Sequence, residues 1–381
     1  MNILFLDQSG KPGGAELCLL DIATPYRECC LVGLLADGSF RERLEQQQIP
    51  VRVLTTQAIR VRKESDWLEG IRSGIQLLPL IGQIAQLCRQ FDLIYANTQK
   101  AFVLGALASL ISRKPLVYHL HDILSPDHFS AVNRQILVTL ANRVAALIIA
   151  NSSATQAAFI KAGGRPERVH VVYNGFDPQP YQQAKQQRSV LRAALGLEER
   201  WVIGHFSRLS PWKGQHVLLE ALSHCPEQAM VLFVGDALFG EQAYVEQLHQ
   251  QVQQLGLEQR VQFLGFRADV PELMAACDLV VHSSVAPEPF GRVIVEAMLA
   301  GKPVIAAAAG GAMELIEPNQ TGWLVPPQDS LQLAAAINQC LQFPEHATTV
   351  AHNAKVQASE RFHIANIHQQ IDLLLRQFVQ V

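Results

Sequence analysis

Short β-type runs alternate with helical segments along the whole chain, and they fall into two sets. Ile3–Leu6, Cys30–Leu35, Val51–Leu54, Leu93–Ala96, Leu116–His119, Ala146–Ala150 and Val169–Tyr173 make the first. Val202–Phe206, Met230–Val234, Val261–Leu264, Leu279–His282 and Val304–Ala307 make the second. Apolar runs of this length, each trailed by a helical stretch or loop, predict parallel strands joined by crossover helices. Two sets predict two α/β domains, and 381 residues exceed what one hydrophobic core usually organises. The polar, Pro-containing stretch from Asp177 to Gln187 reads as the approach to the second domain. Open parallel sheets bind ligands beyond the carboxyl ends of their strands, so the loops there carry the functional expectation.

Several function classes drop out early. With 49% apolar and 17% charged residues the chain reads as globular. Its longest apolar run, Ala101–Ile111, is far short of the roughly 20 residues that a spanning helix needs. Met1–Asp7 runs straight into a strand, with no charged leader or cleavage site, so no secretion signal is expected. Seven cysteines, an odd number with Cys29 and Cys30 adjacent, fit reduced thiols better than a disulfide framework. A cytoplasmic location is the expectation. Charge is uneven: residues 1–180 hold 18 Lys and Arg against 15 Asp and Glu, and the remainder 13 against 19. In the first part Arg60, Arg62, Lys63 and Arg72 interleave with Ile59, Val61, Trp67, Leu68 and Ile71. That pattern suits peripheral contact at the cytoplasmic face of an anionic membrane, an anionic acceptor, or an ordinary solvated segment. Nothing is basic enough to suggest nucleic acid.

Five constellations carry chemistry. Glu288 and Glu296 bracket Pro289–Val295, and Glu296 falls in an otherwise apolar helix predicted from Arg292 to Ala300, ended by Gly301 and Pro303. A carboxylate there needs a partner, and either a ligand or Arg292 four residues earlier supplies one. Arg292 and Val293 open the helix, where an anion would relieve the conflict between a cation and the helix dipole. Arg208 and Lys213 follow the strand Val202–Phe206 and precede a helix, an arrangement suited to a diphosphate. Gly13 and Gly14 lie between the first strand and a helix, although without the G-x-G-x-x-G spacing of a dinucleotide loop. Gly235–Asp236 and Gly265–Phe266–Arg267 end two further strands and can offer backbone to a base, and Gly310–Gly311 keeps backbone close to whatever Glu288 addresses. His119 and His121 alternate at a strand's end, so one is expected to face the ligand side, and His121, beside Asp122, is the candidate. No Cys or His cluster with zinc spacing accompanies them, so no metal site is expected.

Taken together, Pro12–Glu16, Ser207–Leu209 with Lys213–Gly214, the Glu288–Glu296 block and Gly310–Gly311 with Glu314 resemble the retaining glycosyltransferases of family 4, over nearly the whole chain. The resemblance implies the GT-B fold, two Rossmann-like domains facing across a deep cleft. The boundaries are then 1–178 and 179–361, with a helix of about 362–381, marked by Ile367, Ile371, Leu374 and Phe378, returning to the first domain. It implies that Glu296 accepts from the ribose hydroxyls, and that Arg208 and Lys213 hold the diphosphate with amides at Gly13, Gly14, Arg292 and Val293. Glu288, Phe290 and Gly291 would orient the donor sugar, backbone near Phe266 would meet the base, and His121 would lie near the sugar and the incoming hydroxyl. The donor would be a nucleoside-diphosphate hexose, UDP-linked in preference to GDP- or ADP-linked, with no cofactor and no metal. The acceptor would be a hydroxyl of a glycan, a lipid-linked species or a small molecule, as in polysaccharide biosynthesis. Ala237, where many relatives have Gly, is a small departure. A nucleotide-sugar epimerase of the same fold, a noncatalytic sugar-nucleotide sensor and a nicotinamide-dependent oxidoreductase are the alternatives. The last leaves Arg208, Lys213, Glu288 and Glu296 without a role.

Overall fold

A computed structural model describes residues 1–55, 67–126, 129–237 and 240–379. Arg60, Arg62 and Lys63, the core of the basic segment, lie outside the described residues, and of the side chains of Trp67 to Gln76 nothing is described.

The chain divides into two compact units, Met1–Gly175 together with Ile364–Val381, and Phe176–His363. The first holds a seven-stranded sheet of β1 (Ile3–Asp7), β2 (Cys30–Leu34), β3 (Val51–Val53), β4 (Leu93–Ala96), β5 (Leu116–Leu120), β6 (Ala145–Ala150) and β7 (Val169–Val171). Their order is β3-β2-β1-β4-β5-β6-β7, and every neighbouring pair is parallel. The strands read as continuous apolar runs because helices cover both faces. One face packs Leu4, Leu6, Ile94 and Tyr118 against Ile84, Phe102 and Leu104. The other packs Ile3, Phe5, Tyr95 and Val117 against Leu19, Ile22, Ile367, Ile371 and Leu375. The last three come from the helix Ile364–Arg376, whose four-residue apolar spacing puts them on one stripe. Leu374 and Phe378 pack at the edge of that core.

The second unit holds six strands: β8 (Trp201–Phe206), β9 (Ala229–Val234), β10 (Val261–Phe263), β11 (Leu279–His282), β12 (Val304–Ala307) and β13 (Trp323–Val325). Their order is β10-β9-β8-β11-β12-β13, again parallel throughout. The edge strand β13 is an addition to the five runs expected here. It spans three residues, between Gly322 and Pro326. In each sheet the strand order reverses beside one central pair, β1 with β4 and β8 with β11. Loops leaving the carboxyl ends of such a pair diverge to opposite faces and open a crevice between them.

Candidate active site

In the second unit the loop after β8 and the loop after β11 meet. Lys213 leaves a short turn, Pro211–Lys213, and its ammonium lies 2.8 and 3.0 Å from the two carboxylate oxygens of Glu288. The Ser284 hydroxyl donates to Glu288 Oε2 at 3.1 Å, and His282 Nε2 stands 3.3 Å from the same oxygen. Burial alone would raise this carboxyl, but the Lys213 charge and the hydrogen bond from His282 prevail and hold it well below the usual carboxylate range. Glu288 is therefore an anion at every working pH, buried and clamped by three side chains. Lys213 also stands 3.8 Å from the centroid of the Trp212 ring, and the Arg208 guanidinium 5.7 Å from it. Both cations thus lie against the one indole ring, in the loop that follows β8. Behind them His205 meets the Ser283 hydroxyl at 3.2 Å. Burial, aided by His282 and Lys213, lowers His205 to about 3, so it packs as a neutral ring.

The main chain of Glu288 is fixed as firmly as its side chain. It forms a parallel bridge with Gly310, and the Gly311 amide donates to its carbonyl at 2.7 Å. Gly310 adopts φ +63°, and a Cβ there would collide with the Glu288 backbone. The expectation that the paired glycines keep backbone near whatever Glu288 addresses is refined: the backbone they keep close is that of Glu288 itself.

Gly291, at φ +98°, caps the helix Arg292–Leu299. Ile294, Val295, Ala297, Met298 and Leu299 bury its inner face, which leaves Glu296 on the remaining strip. Arg292 reaches Glu296 with Nε to Oε1 at 3.7 Å, both side chains being 12–14% exposed. The intrahelical pair considered from the sequence is therefore present, and it is sheltered rather than solvated. Arg292 also lies over the Phe176 ring at 4.5 Å. Phe290 places its side chain in the core. Its ring is 2% exposed and packs near Phe362 at 5.9 Å and Phe176 at 6.3 Å, so only its main chain is left to meet a ligand. Phe266, in the loop after β10, is 62% exposed.

In the first unit, β1 ends at Asp7 and the helix Gly14–Ala23 begins at a capping box in which Glu16 Oε2 accepts from the Gly13 amide at 2.9 Å. That amide is consequently not open to a phosphate, which corrects the expectation for Gly13 and leaves Gly14 to face the loop. Asp7 accepts from Asn97 Nδ2 at 2.7 Å and from the Ser9 amide at 2.7 Å. Burial and then the Glu16 charge push Asp7 up to about 8. The native state thus keeps a proton that the unfolded chain releases near 3.8, and stability must fall as pH rises between those values. Asp7→Asn is expected to flatten that decline, by up to about 1.4 kcal/mol per pH unit, and to exceed the parent in melting temperature above pH 8. Parallel slopes in thermal scans across this range would refute the assignment.

The expectation that only one of the two histidines faces the ligand side is corrected: positions i and i+2 of an extended chain share a face, and His121, one residue past the end of β5 at Leu120, stands beside His119 with ring centroids 3.9 Å apart. His121 Nε2 lies 2.9 Å from Asn97 Oδ1, and His119 Nδ1 lies 2.8 Å from the Tyr95 hydroxyl. Cys18, from the helix Gly14–Ala23, joins them, and ligand atoms of Cys18, His119 and His121 fall within 4.8 Å of one another. The absence of sequence spacing for a metal site did not prevent such a cluster, because α/β crossovers bring together residues a hundred positions apart.

Sequence reasoning missed His282 and Ser284 as holders of Glu288, and Asn97 and Cys18 around His121. The alternation of β11 into Ser283–Ser284 was the one available signal. Polar residues at the end of a buried strand must find buried partners.

Comparison with known proteins gives a consistent result. The family described as "Glycosyl transferases group 1" matches residues 187–357, and "Glycosyltransferase Family 4" matches residues 12–180. The crystal structure of HepE from Anabaena in complex with UDP-glucose is 58% identical, covering 99% of this chain and 100% of that one, with a TM-score of 0.91. Spore coat protein SA of Bacillus subtilis is 28% identical over 290 residues, 72% of this chain and 75% of its own length. The D-inositol 3-phosphate glycosyltransferase of Mycobacterium marinum is 30% identical over 267 residues, 66% of this chain and 56% of its own length.

Proposed function

The chain belongs to the glycosyltransferases of group 1, family 4, with the GT-B fold, and from that premise we propose that it transfers a hexose from a UDP-sugar, UDP-glucose in the first instance, to an acceptor hydroxyl with retention of anomeric configuration. The observation that carries the donor is the 58% identity, over 99% of this chain, to a protein solved with UDP-glucose. The same protein was solved with UDP and glucose together. The acceptor belongs to a glycan, a lipid-linked species or a small molecule. The reaction is cytoplasmic in this reading, with peripheral membrane contact. Among the described residues no helix is long and apolar enough to cross a bilayer.

The residue roles follow from where charge develops. As the glycosidic bond breaks, positive charge grows on the sugar and negative charge on the departing diphosphate. Arg208 and Lys213, held in place by Trp212 and Glu288, are cations arranged before the reaction begins and stabilise that leaving group. Lys213 has three N–H donors; with two directed at Glu288, the third is left for a phosphate oxygen. Glu288, kept ionised, accepts from sugar hydroxyls and fixes the ring. Glu296 accepts from the ribose hydroxyls, with Arg292 holding its carboxylate. The leaving phosphate takes the acceptor proton on the face it departs from, which preserves configuration, and the two cations do the work that a divalent ion does in metal-dependent transferases. His121 belongs to the acceptor-side unit and serves transfer rather than nucleotide affinity.

Calorimetry without added metal tests the donor site. Glu296→Ala is expected to weaken UDP binding roughly ten- to a hundredfold, the value of one or two hydrogen bonds to a charged group. ADP, GDP and NAD should bind far more weakly than UDP. An unchanged UDP dissociation constant in the variant would remove Glu296 from the site, and NAD binding alone would overturn the reading.

A further inference from the structure

We infer that Cys18, His119 and His121 form a zinc-binding site whose occupation switches off transfer. Thiolate and imidazole are the donor set for which Zn²⁺ has high affinity, and three protein ligands leave a fourth position for water. Their ligand atoms already lie within 4.8 Å of one another. With Zn–S of about 2.3 Å and Zn–N of about 2.0 Å, a closure of roughly 1 Å completes a tetrahedron. Both imidazoles have the outer contact that metal ligands use to fix orientation. Asn97 Oδ1 can only accept, so His121 carries its proton on Nε2 and leaves Nδ1 as the electron pair. Tyr95 engages Nδ1 of His119, and Nε2 of that ring is buried with no hydrogen-bond partner among the described residues. Cys18 donates its thiol hydrogen to Asn174 Oδ1 at 3.3 Å. On binding, an S–Zn bond replaces S–H, the proton leaves to solvent, and the hydrated Zn²⁺ gives up all but one of its waters. His121 is half-buried and marks the side of entry.

The consequence for activity rests on the role of His121 proposed above, whereas binding does not. Co²⁺ and then Zn²⁺ are titrated into the full chain. The expected result is one equivalent of Co²⁺ showing tetrahedral bands and a thiolate-to-cobalt charge-transfer band, displaced by Zn²⁺. Cys18→Ala should abolish the charge-transfer band, and Cys18→Ala and His119→Gln should each weaken binding by at least roughly tenfold. No thiolate band in the parent, or a band that survives in Cys18→Ala, overturns the site. Zn²⁺ at the same concentrations should inhibit transfer, with chelator restoring it and Cys18→Ala resistant. Stoichiometric binding without inhibition would keep the site, overturn the switch and count against the role given to His121, while leaving the UDP site intact.

Discussion

Lys213→Ala is expected to lower kcat/KM for sugar transfer by about a thousandfold, close to 4 kcal/mol of transition-state stabilisation. The substitution removes one of the two cations that follow β8 and, at the same time, the main counter-charge of Glu288. Glu288 is 9% exposed, so a carboxylate left there with only Ser284 and His282 is expensive. Breaking a buried pair in this way costs about 3 to 5 kcal/mol of stability. The loss of activity must therefore be separated from loss of fold. Glu288→Gln in the same chain removes the stranded charge, and the double variant is expected to regain much of the melting temperature while staying as inactive as Lys213→Ala. Recovery of transfer in the double variant would show that Lys213 acts only by neutralising Glu288. Full activity in the single variant would remove Lys213 from the reaction altogether.

Gly310→Ala is expected to reduce transfer by at least about a hundredfold, the usual effect of displacing a reacting constellation by about 1 Å. Two penalties arise together. The left-handed backbone at φ +63° costs an L-residue about 1 to 2 kcal/mol, and the new methyl is driven into the Glu288 main chain. Only the second displaces the site. Gly196 provides the control, since it has φ +67° and open space where its Cβ would stand. Gly196→Ala should lose comparable stability and keep its activity. If both variants lose activity alike, strain in general is the cause, and the bridge between Gly310 and Glu288 has no special part in transfer.

The sheet strands were legible because buried parallel strands must be apolar almost throughout, and each stands between helical segments of quite different spacing. The exception is β13, enclosed between Gly322 and Pro326, where turn residues on both sides mask the run. The reasons for the site's partial legibility differ from residue to residue. Glu296 attracted notice because a lone carboxylate in an apolar helix conflicts with its surroundings, and Gly310–Gly311 because a glycine pair marks close backbone. The Lys213–Glu288 pair was invisible. The two residues are 75 positions apart, and each separately looked like a ligand contact. His119 and His121 were legible as a pair only if the period of two is applied to them: two positions apart they share a face, and their rings lie side by side. Phe290 shows that a residue can sit in a motif while its ring belongs to the core.

The helix Ile364–Arg376 seals the face of the first sheet with Ile367, Ile371 and Leu375, and this bears on how the chain acquires its shape during synthesis. The second unit is one unbroken stretch, complete once His363 has left the ribosome. The first unit is begun earlier but cannot close its core until the helix has emerged, after the whole second unit has been made. Domains made of one continuous stretch fold as they emerge. Here the half that is translated first is therefore the half that matures last, and until then Ile3, Phe5 and Leu19 lack part of their cover.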